Sequence, residues 1–200
     1  NVPPNPRNLQ ELVLPEQFKL TASNKNFLMF GSGPGEDRIL LFSTDENLNL
    51  LETSESCYVD GTFKSVPKLF CQLYTIHARC DGQVFPLVYA LLPDKQRVTY
   101  DRLLAALATL RDTLEPHQLL SDFEKPAIQA FQHAYPLLRV TGCLFHLAQN
   151  IYKHVQEYGL QVPYSQDQEF SLLVRMKSAL AFVPQGDVVR YWELLKPRFP

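Results

Sequence analysis

The feature that most constrains the fold is a change of hydrophobic period halfway along the chain. Three β-rich runs come first, one after another. The first lies in residues 56–63, where Cys57-Tyr58-Val59 leads into Asp60-Gly61-Thr62. The second covers 69–78 and the third, nearly all apolar, covers 84–92. Asp81-Gly82 between the last two is a turn signal, so the simple reading is three consecutive antiparallel strands. Pro86 cannot donate to a ladder, which predicts a sheet edge for the third run. The period then becomes helical. Leu103, Leu104, Leu107, Leu110 and Leu114 share one face, with Thr99 as expected N-cap, Asp101 in the first turn and Pro116 as the stop.

Short strands and helices alternate from there. Residues 117–122 read as a strand ending in a carboxylate. A helix follows, with Pro126 in its first turn and Ile128, Phe131 and Ala134 as its apolar face. Residues 137–140 read as a strand, and Leu144, Ala148, Ile151, Tyr152 and Val155 as a helix closed by Gly159. The remainder is helical. Ser165-Gln166-Asp167-Gln168 fits a capping box ahead of a helix at 170–182, which Pro184 breaks. Asp187 is expected to cap a final helix with Val188, Val189, Trp192 and Leu195 buried and Pro197 at its end. The fold class is therefore α/β: a mixed sheet of three antiparallel strands, then alternating helix and strand, with a C-terminal helical extension.

Ahead of the sheet, Pro3, Pro4, Pro6 and Pro15 mark residues 1–17 as an extended arm or linker. Apolar runs at 27–30 and 39–42 flank Gly31-Ser32-Gly33-Pro34-Gly35-Glu36-Asp37, the pattern of an N-terminal β-hairpin. A phosphate-cradling loop needs Gly-Lys-Ser/Thr and a following helix; acids and a strand stand there instead. Three segments result: arm and hairpin at 1–50, a core at 51–158, and a helical insertion with the final helix at 159–200.

Composition narrows the functional classes. Hydrophobic residues make up 46 % and charged residues 20 % of 200, enough apolar mass for a packed core and not a disordered chain. The net charge of −2 is no footprint of a basic nucleic-acid module, nor does it exclude one. No apolar run approaches the roughly 20 residues of a membrane helix, and no signal peptide is visible at Asn1. The stop at Pro200, just past a helical pattern, suggests a segment of a longer protein. Cys57, Cys71, Cys80 and Cys143 form no C-x-x-C pair, which fits buried free thiols in a reducing compartment.

Three carboxylates stand at informative places. Asp60 ends the first strand of the sheet, Asp122 ends the strand after the first helix, and Glu193 lies on the final helix. Functional groups gather where strands end and the backbone turns away. Acids on two strand ends, met by one from a helix, suit Mg²⁺ or Mn²⁺. Two such ions about 3.5–4 Å apart hold both the attacking and the leaving oxygen of a phosphodiester. Singly, each acid has a plainer reading: Asp before Gly as a turn residue, and Asp-Phe-Glu as a helix cap.

Taken together the motifs resemble one family. Cys57-Tyr58-Val59-Asp60-Gly61-Thr62-Phe63-Lys64 is similar to the first-aspartate motif of Mutator-like element (MULE) transposases. Phe70-Cys71-Gln72-Leu73-Tyr74-Thr75-Ile76-His77 and Pro86-Leu87-Val88-Tyr89-Ala90-Leu91-Leu92 resemble its next two strands. Ser121-Asp122-Phe123-Glu124 resembles the second-aspartate motif, and Gly142-Cys143-Leu144-Phe145-His146 the C-x-x-H signature. Ala179-Leu180-Ala181-Phe182-Val183-Pro184 with Asp187-Val188 resembles the tail of these proteins, so the likeness covers roughly residues 10–196.

This resemblance implies a ribonuclease-H-like fold and a DDE-type transposase that cleaves and transfers DNA strands with Mg²⁺ or Mn²⁺. Asp60 and Asp122 are then the two aspartates. Glu193 is the chosen third acid and metal ligand, Glu169 its competitor, and an acid beyond this segment a further alternative. Glu124 is expected to face solvent or to assist the site. Cys143 and His146 have half the spacing of a zinc site, but no second Cys/His pair accompanies them. Their expected role is to organise the strand-to-helix junction. DNA is the implied partner, with a homo-oligomer allowed and no membrane. Lys64, Lys68, Lys125 and Lys153 are candidate phosphate contacts, and the nucleus is the location a DNA reaction implies. The alternative is a domesticated, inactive descendant that binds DNA or protein.

Overall fold

A computed structural model describes residues 6–199. Pro3, Pro4 and the chain ends Asn1 and Pro200 lie outside the described residues. The chain divides into two compact units, one up to Thr141 and one from Gly142.

The first unit is built on a mixed sheet. Its strands are β1 (Leu28–Gly31), β2 (Leu40–Phe42), β3 (Ser56–Thr62), β4 (Gln72–Cys80), β5 (Gln83–Leu92), β6 (Gln118–Ser121) and β7 (Arg139–Gly142), in the spatial order β1-β2-β5-β4-β3-β6-β7. The strands β3, β4 and β5 run antiparallel, as the three β-rich runs predict. Asp81 (φ 50°) and Gly82 (φ 81°) make the β4–β5 turn. Both are left-handed, the geometry that lets a two-residue hairpin follow the strand twist. The hairpin β1–β2 also forms, and it extends the same sheet through β2 and β5.

Pro86 lies in an interior strand, not on the sheet edge. The proline is accommodated because β2 pairs only with Tyr89, Ala90 and Leu91 of β5. Around Pro86 the strand is bonded on one side alone, opposite His77 and next to a register shift. A missing N–H is harmless where no ladder is present to receive it.

Helices α1 (Asp45–Glu52), α2 (Arg97–Leu110) and α3 (Lys125–Ala134) complete the unit. The sequence reading omits α1, although its signals are local. Thr44 caps it, accepting from the Asn47 N–H at 3.2 Å, and Asp45 and Glu46 fill the first turn. Arg111, beyond the end of α2, pairs with Asp45 at 3.0 Å. The start of α2 differs from expectation. Thr99 is inside the helix and buried, and its hydroxyl donates to Asp94 Oδ1 at 2.6 Å. Asp94 also accepts from the N–H of Gln96, the N-cap residue, whose own side chain makes no cap bond. Nor does α2 run to Pro116: it ends at Leu110, and Leu114 reaches the core from the loop. On α3 the buried stripe is Ala127, Ala130 and Phe131, while Ala134 faces out.

The three helices pack on the sheet face that carries Cys57, Val59, Tyr74, Ile76, Ala78, Val88 and Ala90, forming the main core. The opposite face holds a smaller cluster of Leu9, Leu40 and Phe70, with Leu12, Leu14 and Leu91 against it. The described part of the expected arm is therefore docked, and Arg38 Nη1 fixes it by donating to the Leu12 carbonyl at 2.6 Å. Of the four cysteines only Cys57 is buried; Cys71 is exposed, and Cys80 and Cys143 are half-buried. This corrects the expectation of mostly buried thiols.

The second unit is helical: α4 (Leu144–Glu157), α5 (Gln161–Gln166), α6 (Gln168–Ala179) and α7 (Val188–Leu195). Gly159, at φ 70°, follows α4 as expected. The cap of α6 is Asp167, which accepts from the Glu169 and Phe170 N–H groups at 2.9 and 3.1 Å. Ser165 belongs to α5 instead and takes no part in that cap. Asp187 precedes α7 but makes no side-chain cap bond. The expected stripe of α7 shrinks to Leu195, since Val189 is 71 % exposed.

Leu119 on β6 is fully buried. Leu119→Ala is expected to lower unfolding free energy by about 2–5 kcal/mol in urea denaturation, since it leaves a cavity in the main core.

Candidate functional site

The strands β3 and β6 are parallel, with Ser56 opposite Gln118, Cys57 opposite Leu119 and Tyr58 opposite Leu120. Continuing that register by two residues brings Asp60 level with Asp122. Adjacent strands lie about 4.8 Å apart, which sets the two residues on neighbouring strands. Asp60 does not end its strand as expected: β3 runs on to Thr62, paired to β4 throughout, whereas Asp122 directly follows β6. Strand alternation turns Asp60 away from Cys57 and Val59, which are in the core. Both aspartates are half-buried. The Asp60 carbonyl accepts from Thr75 Oγ1 at 3.2 Å, across the β3–β4 pair. Asp122 Oδ1 accepts from Ser121 Oγ at 3.3 Å and from the Glu124 N–H at 3.2 Å.

A buried polar layer lies beneath. Tyr74 and Tyr100 are fully buried, with ring centroids 5.1 Å apart in an edge-on contact. Gln72 Nε2 donates to Tyr100 Oη at 2.6 Å and to the Asp94 carbonyl at 3.3 Å. Tyr100 in turn donates its hydroxyl proton to Glu124 Oε1. The other Glu124 oxygen pairs with Lys95 Nζ at 3.1 Å, and the same ammonium sits 3.7 Å above the Phe63 ring. Glu124 is thus turned into the protein, with its side chain 11 % exposed, which overturns the expectation of a solvent-facing residue.

Burial pushes the Tyr74 hydroxyl well above its ordinary range, and Tyr100, Asp122, Glu124 and Asp60 each push it further. All three carboxylates therefore act on one buried phenol. Burial likewise raises Tyr100, assisted by its bond to Glu124. The Tyr74 hydroxyl and Gln72 Oε1 are buried without a hydrogen-bond partner. Gly61 lies against this layer: a Cβ there would come within 2.7 Å of Gln72 Oε1.

The remaining predicted residues fall elsewhere. Cys143 is the N-cap residue of α4 and makes no side-chain cap bond. His146 lies in the first turn of α4, its ring 5.6 Å from that of Phe145. Glu193 is exposed on α7, and Glu169 is in the first turn of α6. Lys64 and Lys68 are exposed on the loop that follows β3, and Lys125 is exposed as the first residue of α3. Lys153 is on α4, 3.8 Å from Glu157. Among the described residues, no group of three or more His, Cys, Asp or Glu side chains is gathered so that it could hold a metal ion. The Asp60–Asp122 pair supplies hard oxygen donors, which fit a divalent cation whose remaining ligands are water or substrate. The sequence reading missed Tyr100, Gln72 and Lys95. Tyr100 carried a signal, a phenol interrupting an otherwise aliphatic helix face.

In class, this is an α/β domain with a mixed sheet, in which the adjacent parallel strands β3 and β6 carry Asp60 and lead into Asp122. Residues 56–150 match the family model of the MULE transposase domain, so the chain carries such a domain. The match covers the sheet from β3 onward, both aspartates and the C-x-x-H residues. It supports a transposase-related function and, with it, interaction with DNA. Comparison with curated proteins gave no match. No helix among the described residues is long and apolar enough to cross a membrane.

Two predictions follow, one from the buried layer and one from groups buried elsewhere in the same unit. Gly61→Ala is expected to cost about 1–3 kcal/mol in urea denaturation, because Gln72 is tied at both Tyr100 and Asp94 and cannot yield freely. Burial also raises Tyr135 and the Cys57 thiol, each to about 12. Groups raised on folding contribute their stability fully below the unfolded pKa. That stability is lost as pH climbs, because the unfolded chain then releases protons the folded chain retains. Unfolding free energy is therefore expected to fall from about pH 9 upward. Tyr135→Phe should flatten the slope by up to about 1.4 kcal/mol per pH unit. Denaturant titrations across that range check it; an unchanged slope contradicts the burial of this hydroxyl.

Proposed function

We propose that this domain is the catalytic core of a MULE-type DNA transposase, cleaving and transferring DNA strands by DDE chemistry on a ribonuclease-H-like fold. The observation that supports the reading is the parallel pairing of β3 with β6, which puts the strand that carries Asp60 beside the strand that leads into Asp122. Both strands lie inside the family-matched stretch. Asp60 and Asp122 would hold Mg²⁺ or Mn²⁺, with Glu193 as third ligand and Glu169 as its competitor. When bound, the metal acidifies an attacking hydroxyl and neutralises charge on the phosphodiester.

The protein's own residues do the rest. The two carboxylates act as ligands and not as nucleophiles. Thr75, Ser121 and the Glu124 N–H hold the aspartates and their strands in place. Lys64, Lys68, Lys125 and Lys153 meet DNA phosphates, an electrostatic and sequence-independent contact. Sequence recognition then belongs to another part of the protein, in keeping with a net charge of −2. The nucleus is the proposed place of action. A second reading, a domesticated DNA- or protein-binding module that no longer cuts, draws on one observation. No three-ligand group is gathered among the described residues.

Asp60→Asn and Asp122→Asn keep side-chain volume and remove the charge. Each is expected to reduce Mn²⁺-supported nicking of plasmid DNA at least about 100-fold. Losing a ligand costs more than the 10–100-fold typical of a ligand's supporting partner. Circular dichroism is expected to stay native. Full nicking by either folded variant would sink the assignment, and a folded wild-type chain that neither binds Mn²⁺ nor nicks would favour the domesticated module.

A further inference from the structure

Glu124 is an acid that the proposed reaction does not use, yet the fold invests several groups in holding it. A carboxylate this far out of water is unfavourable unless it is paired. Tyr100 donates to one oxygen from α2. Lys95 pairs with the other from the loop between β5 and α2. Tyr100 is itself held by Gln72 of β4, and Gln72 also donates to the carbonyl of Asp94, whose carboxylate accepts from the Gln96 N–H and the Thr99 hydroxyl at the start of α2. A continuous chain of bonds thus runs from the sheet and the start of α2 to the Glu124 side chain. Its last link is main-chain: the Glu124 N–H donates to Asp122 Oδ1. Ser121 Oγ donates to the same oxygen. Both bonds engage Oδ1, so Oδ2 keeps its lone pairs for a ligand.

We infer that Glu124 is a positioning residue: Tyr100 and Lys95 clamp its carboxylate, the clamp fixes the turn at 122–124, and the turn sets the direction of the Asp122 carboxylate. The partner of a ligand orients it as surely as the ligand holds its cation. Glu124 needs no contact with DNA or metal for this. The consequence for cation binding rests on the proposed function, whereas the clamp itself does not.

The test uses the full chain as wild type, Tyr100→Phe, Lys95→Met and Lys95→Arg. Hydrogen exchange of the Glu124 amide is followed by NMR, and Mn²⁺ binding by calorimetry on the same samples. Tyr100→Phe and Lys95→Met are expected to speed Glu124 amide exchange at least about 10-fold, with the interior amides of α2 and α3 unchanged. Their Mn²⁺ Kd is expected to rise about 10–100-fold, and Lys95→Arg to restore both values. Lys95 is partly exposed, so its variants carry the test if Tyr100→Phe fails to fold. Wild-type exchange of the Glu124 amide in folded variants overturns the inference. So does unchanged Mn²⁺ affinity in a variant whose Glu124 amide has been released. If wild type takes up no Mn²⁺ but the amide is still released, the metal-dependent reading fails and the clamp stands.

Discussion

The parallel pairing of β3 with β6 is the constraint on which the rest of this domain depends. Only three residue pairs define it, from Ser56–Gln118 to Tyr58–Leu120. Side chains alternate with a period of two along a strand, so a slip of one residue would turn Leu119 out of the core and separate the levels of Asp60 and Asp122. Register is held by burial. Cys57 and Leu119 are both in the core, and Ala127, Ala130 and Phe131 of α3 join the same cluster. The placement of the carboxylates is thus a by-product of apolar packing on the other face of the sheet.

Beneath the strand ends, the fold places polar groups where a simple core would be apolar. Gln72, Tyr74 and Tyr100 are fully buried beside aliphatic neighbours. Such groups are unfavourable unless bonded. Most of them are, through Gln72, Tyr100, Glu124 and Lys95. A network of this kind specifies one arrangement more sharply than packed methyl groups do, because few alternative geometries satisfy its members. It joins β4, α2 and the loop before α3, the elements that frame the Asp60–Asp122 pair.

Much of the architecture was legible from local signals. Asp81-Gly82 announced a tight hairpin, and both residues take the left-handed conformation that such a turn needs. The alternation after residue 97 announced helices and strands in the observed order. Misreadings fell where a local rule met a non-local neighbour. Pro86 correctly signalled an absent ladder bond. That bond is absent because β2 is short, a fact held elsewhere in the chain. Thr99 has the chemistry of a cap, but the helix starts before it, at Arg97, and its hydroxyl donates to Asp94 instead.

By itself the sequence determined which residue types stand at strand ends, where the hairpins turn and which helix faces are apolar, because short-range sterics and periodicity govern those features. It also carried the motifs that place residues 56–150 in the MULE transposase domain. Tertiary structure alone decided that the strands of Asp60 and Asp122 lie side by side, that Glu124 turns inward to Tyr100 and Lys95, and that the residues around Leu9 and Leu12 dock on the sheet. Each of these joins groups tens of residues apart. Their proximity is set by the summed burial of a core and not by any signal within a few residues of the groups themselves.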